Sequence, residues 1–193
     1  SHLEPTPTVI VKHSSLFRTL SLSAALLAGQ ACSTQQKMTT ESAQPFGLVV
    51  VDPGHFHAAL VQKSMYESVR PTVHVYAPEG PDVQAYLDKI TQYNTRAENP
   101  TQWEEQVYKA PDFFDKMLAE KAGNVVVLAG NNQKKTSYIK QSVEAGLHVL
   151  ADKPMAINTE GFEQLKEAFA TAEKNKVLLY DIMTERYEIS NAL

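Results

Sequence analysis

Leu147-His148-Val149-Leu150-Ala151-Asp152-Lys153-Pro154-Met155-Ala156 is the stretch of this sequence that decides the fold. Its apolar part is bounded by Gly146 and Pro154, which is typical of a short, buried strand in a parallel sheet. The strand ends in a charged pair, Asp152 and Lys153. Ligands of open α/β sheets bind beyond the carboxyl ends of the strands, so Lys153 is a candidate for chemistry. The alternative is a solvated loop lysine.

Strands and helices alternate on both sides of this stretch. Apolar and β-branched runs predict strands over residues 46–51, 72–77, 125–129, 147–151 and 177–180. Helical spacing of apolar residues predicts helices between them. Strands that alternate with helices of this length indicate βαβ units. The predicted fold class is therefore α/β, a Rossmann-like doubly wound parallel sheet.

Three segments carry more detailed predictions. The first helix is expected to bear Ala58, Leu60, Val61 and Met65. Residues 94–110 are less regular, and Trp103 and Val107, four apart, favour a shared helical face there. Asn158 is predicted to cap a helix whose inward face carries Phe162, Leu165, Phe169 and Ala172.

The composition excludes several classes of protein. Of the 193 residues, 43% are hydrophobic and 21% charged, as in ordinary globular domains. A formal net charge of -4 without a basic stripe argues against a nucleic-acid partner. The single cysteine, Cys32, excludes an internal disulfide and a cysteine-based metal cluster. No apolar run is long enough for a mature transmembrane helix.

Residues 1–32 are predicted to be upstream sequence and a secretory signal. Basic residues precede an apolar run over residues 20–28, and small residues lead to Cys32. The pattern resembles a relaxed bacterial lipoprotein signal in which Cys32 becomes the lipidated N-terminus. The alternative is an amphipathic helix that ends in an ordinary cysteine. The signal implies a periplasmic or cell-envelope location. It also implies a lipid anchor at Cys32.

The rest of the chain divides into a linker and one domain. Residues 33–45, rich in Ser, Thr and Gln, are predicted to be a flexible linker. Residues 46–193 are predicted to be a Rossmann-like domain. Because the sequence starts without Met and ends in an uncapped helical pattern, we expect it to be part of a longer protein.

The second half of the domain resembles the Gfo/Idh/MocA oxidoreductases, which include glucose–fructose oxidoreductases and inositol dehydrogenases. The family pattern is a strand, a Thr-Pro-Asn turn, a helix ending in Ala-Gly-Lys-His-Val, and Glu-Lys-Pro-Leu-Ala. This chain has Ala129-Gly130-Asn131, then Ala145-Gly146-Leu147-His148-Val149, then Asp152-Lys153-Pro154-Met155-Ala156. Order and spacing match over roughly residues 120–190.

The resemblance implies an NAD or NADP cofactor and a small, sugar-like substrate. Lys153 occupies the place of the family lysine near the nicotinamide and the substrate, and is therefore the expected catalytic residue. A cation beside a sugar hydroxyl favours the alkoxide as hydride leaves. Asp152 replaces the usual Glu, and Pro154 keeps Lys153 out of a helix. The family's second domain, expected to follow this chain, implies a homo-oligomer.

The turn after the first strand departs from the family pattern. In place of Gly-x-Gly-x-x-Gly, the chain has Asp52-Pro53-Gly54-His55-Phe56-His57. Gly54 is the middle glycine, which lets the backbone approach the pyrophosphate, so the turn predicts a modified dinucleotide site. Asp52 would repel phosphate, and His57 would push the helix from the strand.

The remaining predicted site residues follow the other strands. Glu79 is the nearest acidic candidate for the cofactor ribose, and the alternative is a turn carboxylate. Ala129, Gly130 and Asn131 are expected to contact the cofactor, with Asn131 matching the family asparagine. Lys134 stands where the family often has His. Arg186-Tyr187 resembles an Arg-Phe pair of the family, which implies that Arg186 faces the substrate. The alternative is that Arg186 pairs with a surface glutamate.

His55 and His57 also suggest a metal site, since Asp52 is nearby and histidine and carboxylate ligate zinc. The ligand set looks incomplete, so we expect no metal. Hydrogen bonding to phosphate or substrate is the preferred role, and a packed loop histidine is the alternative.

Two functions follow. The first is the cofactor-binding half of an NAD(P)-dependent oxidoreductase acting on a sugar or cyclitol. The second, favoured by the altered glycine turn, is a non-catalytic module that binds a carbohydrate or a protein partner.

Overall fold

A computed structural model describes residues 45–182. These residues all belong to the second of two units, Thr40–Leu193. The predicted signal, Cys32, the linker up to residue 44 and Arg186 lie outside the described residues. Within the described part, no helix is both long and apolar enough to cross a membrane.

The described residues alternate strand and helix from start to end. The elements are β1 (Leu48–Val51), α1 (His57–Leu60), β2 (Thr72–Ala77), α2 (Pro81–Thr95), β3 (Glu104–Lys109), α3 (Phe113–Glu120), β4 (Val125–Leu128), α4 (Asn132–Glu144), β5 (His148–Ala151), α5 (Thr159–Asn175) and β6 (Leu179–Asp181).

All strands pair in parallel in one sheet, in the order β3-β2-β1-β4-β5-β6. The order reverses direction between β1 and β4, which opens a crevice at the carboxyl ends of these two strands. The predicted α/β fold, a Rossmann-like parallel sheet, is confirmed, and its switch point is the place where a ligand is expected.

The sheet is buried on both faces, as a parallel sheet requires. One face packs against α3, α4 and α5, with Val49, Val51, Val126 and Leu128 among its strand residues. The other packs against α1 and α2 through the alternate residues Leu48, Val50, Val125 and Val127. Because successive side chains of a strand point to opposite faces, continuous Val-rich runs fill both layers.

Residues 94–110 contain the largest difference from the sequence prediction. The shared helical face of Trp103 and Val107 is wrong, because β3 (Glu104–Lys109) is a strand paired in register with β2. β3 is the edge of the sheet, and its side chains are mostly exposed and polar. Charged side chains suit an edge that must not pair with another molecule, and they hide the strand pattern.

The predicted extent of the first helix also needs correction. α1 ends at Leu60, and Gln62 and Lys63 continue in tight turns by donating to the carbonyls of Ala59 and Leu60, three residues back. Met65 is therefore not part of the helix.

In α5, the N-cap of Asn158 is confirmed by its side chain, which accepts from Gly161 N at 2.7 Å.

The predicted inward face of α5 is confirmed at Leu165 and Ala172 and is wrong at Phe162 and Phe169. Phe162 and Phe169 are about half exposed, while Ala168 and Ala172 are buried. α5 packs along α4, and small alanines allow this close packing where phenylalanine rings would not fit. Leu165, as predicted, packs against the core.

Candidate functional site

Three strands end at the same level beside the switch point. Val51 of β1 pairs with Leu128 of β4, which pairs with Ala151 of β5. The residues that follow are Asp52, Ala129 and Asp152. The register therefore brings two carboxylates and two turns to one edge of the sheet.

The turn after β1 is fastened to the end of β4. The backbone amides of Gly54 and His55 both donate to the carbonyl of Ala129, at 2.9 and 3.1 Å. Asn131 Nδ2 donates to Asp52 Oδ2 at 2.6 Å. Asp52 and Asn131 both have positive φ values, 46° and 41°, which Asp and Asn adopt more readily than most residues. Asp52 thus stabilises the turn through Asn131.

Gly54 and Gly130 approach each other closely across the crevice. A Cβ on Gly130 would lie 2.5 Å from the N and Cα atoms of Gly54, and Gly130 has a φ of 119°. A Cβ on Gly54 would meet only ordinary contacts, the nearest being Asp82 Oδ2 and Gly130 Cα at 3.5 Å. Glycine is therefore required at 130 by the fold, whereas at 54 it leaves open surface for a ligand.

A buried ion pair lies beneath the loop after β5. Lys135 and Asp152 are 1% and 3% exposed, and Lys135 Nζ donates to Asp152 Oδ1. The same ammonium donates to the Asp152 carbonyl at 3.2 Å and to Asn132 Oδ1 at 2.8 Å. These partners satisfy the buried charge, as a buried ion pair requires. They also fix the backbone immediately before Lys153.

Two imidazoles from the β1 turn face the same carboxylate. His55 Nδ1 lies 3.4 Å and His57 Nδ1 3.5 Å from Asp152 Oδ2. The His55 side chain is 44% exposed, while His57 is buried. The turn after β1 and the loop after β5 therefore meet at Asp152. Lys153, exposed, and Pro154, joined to it by a cis peptide bond, follow at the same edge.

A cleft of about 270 Å³ opens beside this turn, between α1 and α2. Its lining includes Ala59, Ala85 and Tyr86 as the apolar part and Asp82 and Lys89 as the charged part. Burial, the Glu105 carboxylate nearby and a hydrogen bond to Gln62 act on Tyr86, and burial dominates, raising the pKa of its phenol. Tyr86 thus stays neutral and donates to Gln62 Oε1.

Tyr138, on α4, is a second tyrosine whose ionisation is affected by the residues around the site. Burial first, and then the Asp52 carboxylate, raise the pKa of Tyr138 to about 12. Tyr138 is therefore a neutral packing residue, and its ring lies at a tilt of 35° to that of Phe114 with ring centroids 4.3 Å apart.

The structure brings most of the predicted site residues together. Pro53, Gly54, His55 and Phe56 line the cleft, and His57 lies buried behind them. Ala129, Gly130 and Asn131 contact this turn, and Asp152, Lys153 and Pro154 adjoin it. Glu79 is exposed in the turn between β2 and α2. Among the described residues that line the cleft, the carboxylate is that of Asp82.

Two site residues were missed in the sequence. Asp82 directly follows Pro81 at the start of α2, where an acidic residue is ordinary and gives no functional signal. Lys135 had a usable signal, because it precedes Ile139 and Val143 by steps of four on the buried face of α4. A lysine on an apolar stripe needs an anionic partner, which the sequence alone does not identify.

The comparisons with known proteins identify the domain. The Gfo/Idh/MocA family model, described as an oxidoreductase family with an NAD-binding Rossmann fold, matches residues 70–181. The chain belongs to this family. The match begins after β1 and its turn, so the Gly54 turn lies outside it. Membership confirms the predicted cofactor class, NAD or NADP, while the individual contact residues stay predictions.

Several solved structures share the fold. A candidate oxidoreductase from Parabacteroides merdae ATCC 43184 is 57% identical over 77% of this chain, with a TM-score of 0.74. The chain spans 34% of that protein. Biliverdin reductase from Synechocystis sp. PCC 6803, solved with biliverdin and NADP+, is 13% identical, with a TM-score of 0.53. The aligned region is 71% of this chain and 37% of that protein.

A candidate oxidoreductase from Thermotoga maritima is 13% identical over 76% of this chain and 41% of its own, with a TM-score of 0.55. These last two likenesses extend to the fold alone. Among proteins with curated descriptions, none matches this sequence.

The residues at the cleft fit the adenosine half of a dinucleotide. A carboxylate such as Asp82 accepts hydrogen bonds from ribose hydroxyls, and the bare backbone of Gly54 allows close approach of a pyrophosphate. Lys89 supplies positive charge at the same cleft. The Gfo/Idh/MocA domain of this chain therefore has a cleft beside the altered turn whose residues fit part of a dinucleotide.

Proposed function

We propose that this chain is the cofactor-binding domain of an NAD(P)-dependent oxidoreductase that oxidises a hydroxyl of a sugar or cyclitol. The observation that carries the proposal is the meeting of the Gly54 turn with the Asp152-Lys153-Pro154 loop at the switch point. This arrangement supports the proposal because the cleft beside Gly54 and the Lys153 side chain adjoin the same edge of the sheet, where hydride transfer between a cofactor and a substrate would take place.

Each end of the cofactor has candidate residues. Asp82 would accept hydrogen bonds from the adenosine ribose, and Gly54 would face the pyrophosphate, with Lys89 offsetting its charge. Bound NAD or NADP supplies the nicotinamide ring that accepts a hydride. On this proposal the nicotinamide end lies toward Lys153.

The chain's own residues would then stabilise charge on the substrate. Oxidation of a hydroxyl would transfer a hydride from carbon to the nicotinamide and a proton from oxygen to a general base or to water. The Lys153 ammonium would donate a hydrogen bond to the hydroxyl oxygen as negative charge develops there. The ion pair of Lys135 and Asp152 holds the backbone before Lys153 in place. The point from which the Lys153 side chain extends is therefore fixed.

A non-catalytic binding module remains the second candidate because of one specific observation. The amides of Gly54 and His55 both donate to the Ala129 carbonyl, and so they are engaged within the protein instead of facing a phosphate. Asp52 adds negative charge at the same turn. A module with these features would bind a carbohydrate or a protein partner.

Nucleotide binding separates the two candidates. The chain has a single tryptophan, Trp103, so energy transfer from protein fluorescence to NADH or NADPH reports binding. We expect transfer with at least one of the two nucleotides. Absence of transfer with both, at millimolar nucleotide, would contradict the oxidoreductase proposal and favour the binding module.

Three variants make this test specific to the cleft. Gly54→Ala adds a Cβ that meets only ordinary contacts, so it should fold normally yet weaken nucleotide binding by about 10-fold or more by blocking close approach. Asp82→Ala should also weaken it. Asp88→Ala, on an exposed position of the same helix, is the control and should bind as the wild type does.

The substrate class needs an activity measurement. Because the chain spans 34% of its Parabacteroides merdae relative, the assay should use the longest natural protein that contains this sequence. Sugars and cyclitols are offered with NAD+ or NADP+, and reduced nicotinamide is followed by absorbance. Lys153→Ala should lower kcat by at least about 100-fold, since it removes charge stabilisation made chiefly in the transition state. An unchanged kcat would contradict the role of Lys153.

The cell-envelope location is proposed from residues 1–32. A lipoprotein signal predicts that Cys32 carries a lipid after export. Metabolic labelling with a fatty acid should mark the wild-type protein and leave Cys32→Ser unmarked. Labelling of both proteins, or of neither, would contradict the anchor. A homo-oligomer is likewise proposed and is measured by sedimentation.

A further inference from the structure

We propose that His55, His57 and Asp152 form a binding site for one divalent transition-metal ion. One donor atom from each of these residues lies within 4.8 Å of the other two. The ligand set that looked incomplete in sequence gains Asp152, which the fold brings from the end of β5 to the turn after β1. The inference does not depend on nucleotide binding.

The distances between the donors favour a metal over direct hydrogen bonds. The two Nδ1–Oδ2 distances are 3.4 and 3.5 Å. Charge-assisted N–H···O bonds are shorter, about 2.7–2.9 Å. Two ligands at about 2.0–2.1 Å from a tetrahedral zinc ion lie about 3.3–3.4 Å apart. Each imidazole Nδ1 therefore lies about as far from Asp152 Oδ2 as two ligands of one zinc ion lie from each other.

The orientation of Asp152 supports the same conclusion. Lys135 holds Oδ1, so that Oδ2 is the oxygen facing both imidazoles. A hydrogen-bonded partner behind a carboxylate ligand is the common arrangement around protein metal sites, since it fixes the direction of the ligating oxygen. His57 and Asp152 are buried, whereas the side chain of His55 is 44% exposed. The ring of His55 can therefore adjust to an ion.

The donor types define the kind of ion. Two imidazole nitrogens and one carboxylate oxygen suit Zn²⁺ and Fe²⁺, and less so Mg²⁺ or Ca²⁺, which prefer oxygen ligands alone. Three protein ligands leave at least one coordination position for water or an oxygen of a bound molecule. The ion would thus act as a Lewis acid at the carboxyl edge of the sheet, where Lys153 also lies.

Metal titration of the full chain tests the site. After treatment with a chelator, the protein is titrated with Zn²⁺ by calorimetry and with Co²⁺ by visible absorbance, which reports coordination by nitrogen and oxygen. We expect one ion per chain. His55→Ala should weaken Zn²⁺ binding by about 10-fold or more and remove the Co²⁺ absorbance band.

His74→Ala is the matched control, because it removes a histidine of β2 that is not part of the cluster. It should bind as the wild type does. His57→Ala and Asp152→Asn should abolish binding, but both residues are buried, so the exposed His55 decides the test. No Zn²⁺ binding by the wild type, or equal binding by wild type and His55→Ala, would overturn the proposal. Nucleotide energy transfer, measured separately, leaves this outcome independent of the cofactor test.

Discussion

Residues 45–69 and residues 70–181 contribute to the same site in different ways. The longer segment matches the Gfo/Idh/MocA family model and supplies regular elements, among them α4 and α5. The shorter one, outside that match, has the strand β1, a turn that carries Asp52 and His55, and a four-residue helix that begins at His57. A framework that matches the family model thus holds a turn that lies outside the match, and a few contacts join the two.

Those joining contacts are of distinct physical kinds. Asp152 faces His55 and His57, Gly130 touches Gly54, and Asn124 and Glu105 hydrogen-bond to the shorter segment. Changing them one at a time measures how strongly the framework holds the turn.

The largest effect is expected at the buried ion pair within the framework. Lys135→Ala should lower the free energy of unfolding by about 3–5 kcal/mol, because it leaves Asp152 buried without its cation. The measurement is urea unfolding followed by circular dichroism. Lys134→Ala, exposed on the neighbouring position, should stay within about 0.5 kcal/mol of wild type. Equal stability of the two variants would refute the structural role of Lys135.

The next effect is expected where the two segments touch. Gly130→Ala should cost about 2–4 kcal/mol, since its Cβ would overlap the backbone of Gly54 at an unfavourable φ. Gly146→Ala is the control for φ alone, because its φ is also positive, at 80°, yet nothing lies within 4 Å of the added atom. The same unfolding measurement applies. A Gly146→Ala cost as large as that of Gly130→Ala would show that backbone strain, and not contact, limits residue 130.

A smaller effect is expected at the opposite end of the strands. Asn124 Oδ1 accepts from Gly47 N at 2.8 Å, and Asn124 Nδ2 donates to the carbonyl of Pro45 at 2.9 Å. Asn124→Ala should therefore cost about 1–2 kcal/mol, with faster hydrogen exchange at Gly47. Unchanged exchange at Gly47 would show that this side chain does not hold β1.

The smallest effect is a change in pH dependence. Burial raises the pKa of Glu105 above its ordinary value of 4.5, although the Gln62 side chain, donating at 3.1 Å, lowers it in part. The folded state then binds the proton more tightly than the unfolded state does. Stability is consequently lost as pH rises from about 4.5 through the raised pKa.

Glu105→Gln removes this ionisation and should flatten the stability curve in that window by less than about 1 kcal/mol, since the side chain is partly exposed and its charge is screened by solvent. Unfolding midpoints at several pH values between 4 and 7 give the measurement. Glu104→Gln, exposed and adjacent, is the control. A wild-type curve that rises relative to Glu105→Gln over this window would contradict the raised pKa.

The sequence predicted the framework where local pattern and burial agree. β4, β5 and the cap at Asn158 were located because apolar runs end at Gly, Pro or Asn for reasons that act within a few residues. β3 was missed because an edge strand with exposed Glu and Lys lacks the alternation that marks a strand. The inward face of α5 was wrong at Phe162 and Phe169 because the small residues Ala168 and Ala172 are the ones buried there.

At the site, the residue types were visible in the sequence, but their partners were not. By itself the sequence determined the α/β fold, the strand ends that carry Gly54, Asp152 and Lys153, and the family, because all of these depend on local patterns. Only the tertiary structure decided that Lys135 pairs with Asp152, that both histidines face this carboxylate, and that Asp82 lines the cleft. Such contacts join residues that are separated in the chain, and the parallel pairing of β1 with β2 and β4, and of β4 with β5, brings them together.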